Sequence, residues 1–564
     1  MSKPLYVLGT GLSHNGSAVL LKDGHVCVGI EKERITRIKH DGGNDTDAIQ
    51  YCLDAEGITL EDVELVVQTA NFEIPDRNRF HGKRLFSGTE APPLISISHH
   101  LAHAYSAVGT CDFDDCLVMV IDGCGSPYEQ CSDISDNTII PGKRILELGE
   151  RMYCEKDSFY HFDGQKMNAL FKDFSEVELN PGNDLKLPAT KHSIGGFYAA
   201  VSRYVFGNMD DVGKLMGLAP YGKAGRIEKE AFKFENGSLL VRDDWQEVFT
   251  RPFTGYVFFK DHFQYYADVA FWAQKQVEKA VRWCFENRLE RFPGKKVCYS
   301  GGVALNAVAN AFLLNEGVVS DFYIEPAAGD NGLALGCAYY GWLEVLNRSK
   351  VKSDENTCFG RSYSDSEIES ALASASESWK ILRLETSELL AFTSKKLAEG
   401  KTIGWFQDHS EFGPRALGHR SILAHPGIKG LGDHINANIK FREDFRPFAP
   451  AVLPEFAATY FKSGRKSPYM ILVDDTKAEY VEQLQNVTHV NGTARVQTVD
   501  KTWNELFFKL IQAFQKETGM GVLLNTSFNK KGMPIVETPE QALALFKESA
   551  LDVLVLNHVI ISKI

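Results

Sequence analysis

The sequence predicts a two-domain α/β protein. Three observations carry this. The length of 564 residues exceeds what one hydrophobic core usually serves. Short apolar runs alternate with helix-period segments in both halves. A polar stretch at 347–362, with Asn347, Ser349, Lys350, Ser353 and Asp354, separates the halves. The expected division is 1–350, a linker at 351–362, and 363–564. A hydrophobic content of 44% with 24% charged residues is that of a soluble globular protein. The formal charge of −13 argues against nucleic acid or an anionic membrane as main partner. The eleven cysteines form no CxxC pair, there is no leader-like start, and no apolar run approaches the roughly 18–20 residues of a membrane helix. A cytoplasmic protein with reduced thiols is expected, and Cys116, Cys298 and Cys337 read as small core residues.

In chain order, residues 5–9 read as a strand, 10–16 as a polar glycine loop holding His14, and 17–21 as a second strand. An Asp23-Gly24 turn leads into a third at 26–30. This opening is similar to that of actin-like ATPase lobes. The charged run from Glu31 to His40 follows; a solvated face and a functional segment both fit it. Ser-His-His-Leu-Ala-His-Ala-Tyr at 98–105 sets His99 and His103 four apart, on one face of a helix. A metal clamp and a structural pair both fit that spacing. Residues 117–121 read as a buried strand ending at Asp122-Gly123, and Asp330 lies in a second glycine turn at 326–332. Two imidazoles and two carboxylates suit a borderline first-row ion such as Fe, Mn or Zn; helix capping by both aspartates is the alternative.

Residues 214–222 read as turn-rich. Residues 259–291 have helical spacing, with Phe271, Trp272, Val277 and Trp283 as core contacts. The strand at 296–299 runs into Ser300-Gly301-Gly302-Val303-Ala304-Leu305-Asn306. Backbone N–H groups at such a junction suit an anion or a phosphate, although neither a P-loop lysine nor GxGxxG is present. In the second half, 387–399 reads as an amphipathic helix with Thr386 as cap and Gly400 at its end. A strand at 401–406 follows it, Thr538-Pro539 opens a further helix, and 552–556 is a last strand. Cations concentrate in this half: Arg415 in a Gly-Pro-Arg turn, Arg420, Lys440, Arg442, Arg446 and Arg495. Asn525-Thr-Ser527-Phe-Asn529 follows the apolar run 521–524. Guanidinium groups bind phosphate oxygens bidentately, so a converging set fits a phosphorylated dianion plus a nucleotide. Surface pairing with Glu411, Glu443 and Asp444 is the alternative, expected for Arg442 and not for Arg415.

Taken together these motifs resemble, over essentially the whole chain, the O-carbamoyltransferases that tailor antibiotics and nodulation factors. The first half carries His-Asn-Gly-Ser-Ala at 14–18, Glu33-Arg34, His-His-Leu-Ala-His, Asp122-Gly, Lys-Leu-Met-Gly-Leu-Ala-Pro-Tyr-Gly, Ser-Gly-Gly-Val-Ala-Leu-Asn and Gly-Asp330-Asn-Gly. The second carries Glu-Phe-Gly-Pro-Arg-Ala-Leu-Gly, Lys440-Phe-Arg-Glu, Arg446-Pro-Phe-Ala-Pro, Gly-Thr-Ala-Arg-Val-Gln-Thr-Val and Leu-Asn-Thr-Ser-Phe-Asn. The resemblance implies an actin-like domain (ASKHA, a duplicated RNase H-like fold), similar to that of the tRNA threonylcarbamoyl-transfer enzyme, followed by a YrdC-like α/β domain. It implies that carbamoyl phosphate and Mg-ATP give carbamoyl adenylate, whose carbamoyl group passes to a hydroxyl of a small molecule. It also implies residue roles. His99, His103, Asp122 and Asp330 hold Fe(II) or another divalent transition metal. Arg415, Arg446, Arg495, Asn525 and Asn529 bind carbamoyl phosphate and ATP, and Lys440 and Ser527 assist adenylation. Gly301, Gly302, Asn306, Gly329 and Lys214 hold the nucleotide in the actin-like domain, and His14 is the catalytic histidine of transfer. No nucleic-acid or membrane partner is implied.

Three departures stand out. Ser126-Pro127 replaces a Glu that relatives often show, which bears on the acceptor pocket. Asn491 replaces a frequent Asp, and Asp408-His409-Ser410 differs from the usual approach to Glu-Phe-Gly-Pro-Arg. Two rival readings remain at this point. A tRNA threonylcarbamoyl-transfer enzyme would favour an extended basic surface, and an actin-like ATP-binding scaffold would not need the second half's arginines.

Overall fold

The computed structural model describes residues 3–43, 45–69, 92–140, 151–178, 193–374 and 379–563. It is a mixed α/β structure in two compact units: residues 1–27 with 42–353, and 28–41 with 354–564. The chain thus passes between units at Ser353–Asp354, inside the polar stretch. Residues 28–41, which the sequence reading places within 1–350, belong to the second unit.

The first unit holds two sheets. In the first, β1 (Tyr6–Gly11), β2 (Ser17–Lys22), β3 (His25–Glu31), β4 (Val63–Thr69) and β5 (Leu94–Ile97) have the order β3-β2-β1-β4-β5, β3 beginning in this unit and belonging to the second from Val28 on. β1 is antiparallel to β2 and parallel to β4, and β4 is parallel to β5. The Asp23-Gly24 turn has φ of 52° and 86°, the left-handed pair that a tight hairpin requires. The second sheet contains β6 (Cys116–Ile121), β7 (Thr138–Ile139), β8 (Arg151–Phe162), β9 (Met167–Glu178), β12 (Lys296–Ser300) and β13 (Asp321–Ile324). Its order is β13-β12-β6-β8-β9-β7. β6 is antiparallel to β8 and parallel to β12, and β12 is parallel to β13. With β7 set aside, this is the first sheet's pattern repeated: third, second, first, fourth, fifth. A separate hairpin, β10 (Phe232–Glu235) with β11 (Ser238–Val241), lies between β9 and β12 in sequence.

Each fifth strand leads to a helix, His99–Thr110 after β5 and Leu333–Tyr340 after β13. The first packs on β6 and β12, and the second on β1 and β4, so each covers the other repeat's sheet. All residues of His99–Thr110 are buried, as expected of a helix apolar on every side. The two helices cross where Gly336 meets the Ala102 carbonyl; a Cβ at Gly336 would fall well inside contact distance of that oxygen. The segment 214–222, expected as turns, is instead the helix Val212–Leu218 and the 3-10 turn Ala219–Tyr221. In the long helix Phe263–Arg291, Trp272 and Val277 are buried as expected, whereas Phe271 and Trp283 are half-buried.

The second unit is built on an eight-stranded sheet: β14 (Trp379–Arg383), β15 (Ile403–Phe406), β16 (Arg420–Ala424), β17 (Ala449–Val452), β20 (Gln497–Thr498), β21 (Val522–Ser527), β22 (Val553–Leu556) and β23 (Val559–Lys563). Its order is β14-β23-β22-β15-β16-β21-β17-β20, and a small antiparallel pair, β18 (Val473–Asp475) and β19 (Thr493–Arg495), leads to β20. The helix expected at 387–399 spans Thr386–Ala398. Its cap is Glu385 rather than Thr386, because Glu385 and Glu388 form a reciprocal capping box. Thr538 caps Pro539–Glu548 as expected, in a box with Gln541.

The helix crossing yields a prediction. Gly336→Ala forces a methyl group against a carbonyl that cannot move without shifting a buried helix, at a cost of roughly 1–3 kcal/mol or more. Thermal unfolding should show a melting temperature lower by several degrees; an unchanged value would remove the crossing as a constraint.

Candidate functional site

The duplicated topology puts equivalent positions of the two repeats together. The loop after β1 supplies Ser13, the end of β6 supplies Asp122, the first turn of one crossing helix supplies His99, and the 3-10 turn Asp330–Gly332 that leads into the other supplies Asp330. His103, one turn on, lies on the same face as His99. The Nε2 atoms of His99 and His103 are 3.2 Å apart. His99 Nε2 lies 3.1 Å from Asp122 Oδ2 and 3.4 Å from Asp330 Oδ1, and His103 Nε2 lies 4.0 and 3.9 Å from the same oxygens. The four ligand atoms lie within 4.8 Å of one another. Asp122 is not a helix cap: its Oδ1 accepts the Gly302 N–H at 2.8 Å from a distant turn while Oδ2 faces the imidazoles. Asp330 makes no cap bond; the cap residue is Gly329, and the other Asp330 oxygen accepts from Ser13 Oγ.

Burial opposes charge on His99, but the carboxylates of Asp330 and Asp122 overcome it and hold its imidazole well above the ordinary value. Burial and the His99 charge push His103 down to about 4. Burial works against the Asp122 and Asp330 carboxylates too, and His99 reverses it in both. Two carboxylates and two imidazoles, all aimed inward, are a mixed N/O donor set that fits a divalent first-row ion. His100 is not part of it. Its Nδ1 is 2.8 Å from Ser158 Oγ, and burial keeps its ring neutral.

Ser126 explains one departure from the family pattern. Its Oγ accepts the His99 N–H at 2.9 Å, and its own N–H donates to Glu155. It therefore holds the start of the histidine helix. Glu155 also accepts the His100 N–H and pairs with Lys172 at 2.5 Å.

The remaining first-unit candidates divide. His14 is half-exposed, with Nε2 3.3 Å from Asp210. Gly301, at φ 94°, lies against the Ile121 carbonyl, and the Gly302 N–H is taken by Asp122. Asn306 caps its helix at Ala309 and is locked to Gln274 by two bonds of 3.0 and 3.1 Å. Gly329 accepts from the Gly332 N–H, and Lys214 pairs with Asp211 at 2.7 Å.

In the second unit, Lys440 ends a π-helical turn, Asn436–Lys440, followed by Phe441 at φ 49°. This strained exit turns Lys440 inward. Its Nζ donates to Ser527 O at 2.5 Å, Ser527 Oγ at 3.1 Å and Asn529 Oδ1 at 2.6 Å, so the three predicted residues meet. Burial, then Arg442 and Arg446, push the Lys440 ammonium well below its ordinary value. Burial and Arg446 bring Arg415 down to about 10. Arg495 is lowered by burial and by Arg415, Arg442 and Arg446. Arg415 Nε and Arg495 Nε find no partner among the described residues. Arg442 departs from the expected surface pairing: Nε donates to Asn436 Oδ1 at 2.7 Å, and its guanidinium sits over Phe448. Arg420 stays outside the cluster, fully buried, donating to Gln407 O at 2.6 Å and stacked on Phe406. Asn525 donates to Ala416 O and to Gln497 Oε1, tying β21 to the Arg415 loop and to the strand after Arg495.

Several positioning residues escaped the sequence reading. Gln497 and Asn504 each donate to Leu417 O, and Glu411 accepts the N–H groups of Leu417 and His419. Glu31 and Arg34 do not form a solvated face. Arg34 pairs with Glu31 at 2.7 Å and donates to Gly413 O at 2.8 Å, and the Gly413 N–H donates to Glu31 at 2.6 Å. Arg37 donates to the carbonyls of Ile535 and Pro534. The only sequence signals were motif membership and the Glu33-Arg34 pair.

Family models meet this geometry over most of the chain. The model described as carbamoyltransferase N-terminus matches residues 7–80 and 72–339, and that of carbamoyltransferase C-terminus matches 394–563. The chain belongs to the carbamoyltransferase family. It is therefore a transferase. Among its relatives, nodulation protein NolNO of Sinorhizobium fredii is 32% identical, over 98% of this chain and 79% of that protein. Nodulation protein NolO of Bradyrhizobium diazoefficiens is 31% identical over 83% and 79%. The 3'-hydroxymethylcephem-O-carbamoyltransferase of Amycolatopsis lactamdurans is 31% identical over 60% and 62%. No helix among the described residues of this carbamoyltransferase is long and apolar enough to cross a membrane.

The clamp on Gly413 gives a second prediction. Arg34→Met leaves the Glu31 carboxylate buried without its cation, at a cost of roughly 3–5 kcal/mol. Urea unfolding should report that loss; full stability would show that the pair does not anchor the Gly-Pro-Arg turn.

Proposed function

We propose that this carbamoyltransferase uses carbamoyl phosphate and Mg-ATP to make an enzyme-bound carbamoyl adenylate, then passes the carbamoyl group to a hydroxyl of a small molecule, a sugar or a natural product. The observation that carries this reading is the set of Arg415, Arg442, Arg495 and Lys440, each with its proton affinity lowered by desolvation and by one or more neighbouring cations, Arg446 among them. Such a set is stabilised by a multiply charged anion, as carbamoyl phosphate and a triphosphate are. The repeated strand order supports an actin-like, duplicated RNase H-like first domain, and the second unit is read as YrdC-like. A hydroxymethyl acceptor in the name of one relative supports an alcohol as acceptor here. A cytoplasmic setting, with ATP at hand, suits this chemistry.

In the second unit, Arg415, Arg446 and Arg495 would bind the phosphoryl oxygens, with Asn525 and Asn529 fixing the strand beneath. Lys440 and Ser527 would meet the charge that develops as pyrophosphate leaves. One water enters, and phosphate and pyrophosphate depart. An alcohol is a poor nucleophile at neutral pH, so transfer needs a base, and His14 is suited to take the alcohol proton while Asp210 orients its ring. AMP is the leaving group. A divalent transition ion, Fe(II) by the family's pattern, would be held by His99, His103, Asp122 and Asp330 and would supply Lewis acidity toward a carbonyl oxygen.

Separating the half-reactions tests this. Arg495→Ala and Ser527→Ala should cut pyrophosphate release from ATP and carbamoyl phosphate at least tenfold, since a charge-assisted contact is worth roughly 1.5–3 kcal/mol. His14→Asn should leave that release intact and block AMP release on adding a panel of sugar and natural-product alcohols. Loss of pyrophosphate release in His14→Asn, with transfer from supplied carbamoyl adenylate spared, would overturn the assignment.

Metal content gives an independent test. After anaerobic loading with Fe(II) or Mn(II), elemental analysis should find about one ion per chain and nearly none in a His99→Ala, His103→Ala double variant. Equal content in both would remove the site.

A further inference from the structure

The first unit contains a second cluster of ligand atoms that neither the anion site nor the imidazole–carboxylate site uses. Cys111, just past the helix His99–Thr110, Cys116 at the start of β6 and Cys298 on β12 place their three sulfurs within 4.8 Å of one another, all buried. Cys116 Sγ and Cys298 Sγ are 3.7 Å apart. Lys350 Nζ lies 3.6 Å from Cys111 Sγ, and the Phe113 N–H donates to the same sulfur at 3.4 Å. The cluster is remote from Asp122: β6 begins at Cys116 and ends just before Asp122, about 20 Å at some 3.3 Å per residue.

We propose that Cys111, Cys116 and Cys298 form a structural binding site for a thiophilic d10 cation of the zinc class. At a metal–sulfur distance of about 2.3 Å, sulfurs sharing one ion lie about 3.8–4.0 Å apart, and the Cys116–Cys298 separation already matches. The charge also closes. Three thiolates around a divalent ion carry one net negative charge, and the Lys350 ammonium beside Cys111 offsets it. Glu325, an acid close enough to interact with Cys111, does not compete for a role here. It accepts from Thr110 Oγ1 and the Ala327 N–H, and burial pushes its carboxyl up to about 7. An ion bound here would tie the C-terminal end of the histidine helix to β6 and β12, the strands it packs on.

The test uses the full chain, reduced and stripped with a chelator, titrated anaerobically with Cd(II). An ultraviolet thiolate-to-Cd(II) charge-transfer band should grow and saturate at one ion per chain, and Zn(II) should displace it and raise the melting temperature. Imidazole and carboxylate ligands give no such band, so the His99 site is silent in this readout. The band should vanish in Cys116→Ala and in Cys111→Ala. Absence of a band in the wild type, or its persistence in both variants, overturns the proposal. Should Cys116→Ala fail to fold, Cys111→Ala, outside regular secondary structure, decides alone.

Discussion

The close contact between Gly336 and the Ala102 carbonyl is the constraint on which the first unit's site depends. With no side chain between the two backbones, the first turn of one helix and the 3-10 turn that leads into the other are brought side by side. His99 and Asp330, contributed by different repeats, then share a space that His103 and Asp122 complete. The fold supplies the ligands in pairs because the repeats place equivalent loops at equivalent strand ends. The second ring of contacts follows the same logic. Ser13, Gly302 and Ser126 each fix one member of the cluster through a short hydrogen bond, and each sits in a loop that a strand end delivers. A change at Gly336 would therefore reach the ligands through backbone alone.

The two units treat buried charge in opposite ways, and the contrast separates structure from function. In the first unit nearly every buried cation meets an acid: Lys172 with Glu155 and Asp133, Lys156 with Asp173, Arg288 with Asp157. Such pairs fix strand positions and leave little charge for a ligand. In the second unit Arg415, Arg495 and Lys440 lie near other cations, and the acids close by are spent elsewhere. Glu411 is occupied by backbone N–H groups, and Glu443 lies 2.6 Å from Lys531 and 3.8 Å from Arg446, so it offsets only that one arginine of the set. The uncompensated repulsion is sustained by an extensive apolar core around the eight-stranded sheet. A net charge of −13 does not weaken such a site much, because charges farther away than about 8 Å are screened at physiological salt.

The sequence revealed what is local and concealed what is tertiary. The i, i+4 spacing of His99 and His103, the strand ends at Asp122 and Asp330, and the Lys440, Ser527 and Asn529 motifs all depend on near neighbours, and the structure brings each set together. The Asp23-Gly24 hairpin and the Thr538 cap belong with them, since turn and cap chemistry act over a few residues. Arg442 was misjudged because acidic neighbours in sequence suggested surface pairing, whereas Asn436 and Phe448 take the guanidinium. The segment 214–222 looked like turns from its glycines and proline, but packing overrides weak local propensity. Duplication was implied by the resemblance alone and left no sequence repeat, because the repeats share topology and not sequence. Gln497 and Asn504 could not be singled out, since a side-chain amide donating to a distant carbonyl leaves no periodic trace.

The segment 28–41 shows why a boundary read from composition marks only part of a domain. Its charges suggested a solvated face, and a solvated face belongs to whatever surrounds it in sequence. Arg34 and Glu31 are instead buried, and their partner is the backbone of Gly413, two residues before Arg415. Arg37 adds bonds to Pro534 and Ile535, beyond the Ser527–Asn529 strand end. The Arg415 loop and the segment following Asn529 are thus both held by residues that precede position 41. A chain cut at 350 would keep every arginine of the anion site and lose the clamp that presents one of them. The second unit is therefore a discontinuous folding unit, and the Glu33-Arg34 motif near the start of the chain belongs physically with the Gly-Pro-Arg turn nearly four hundred residues later.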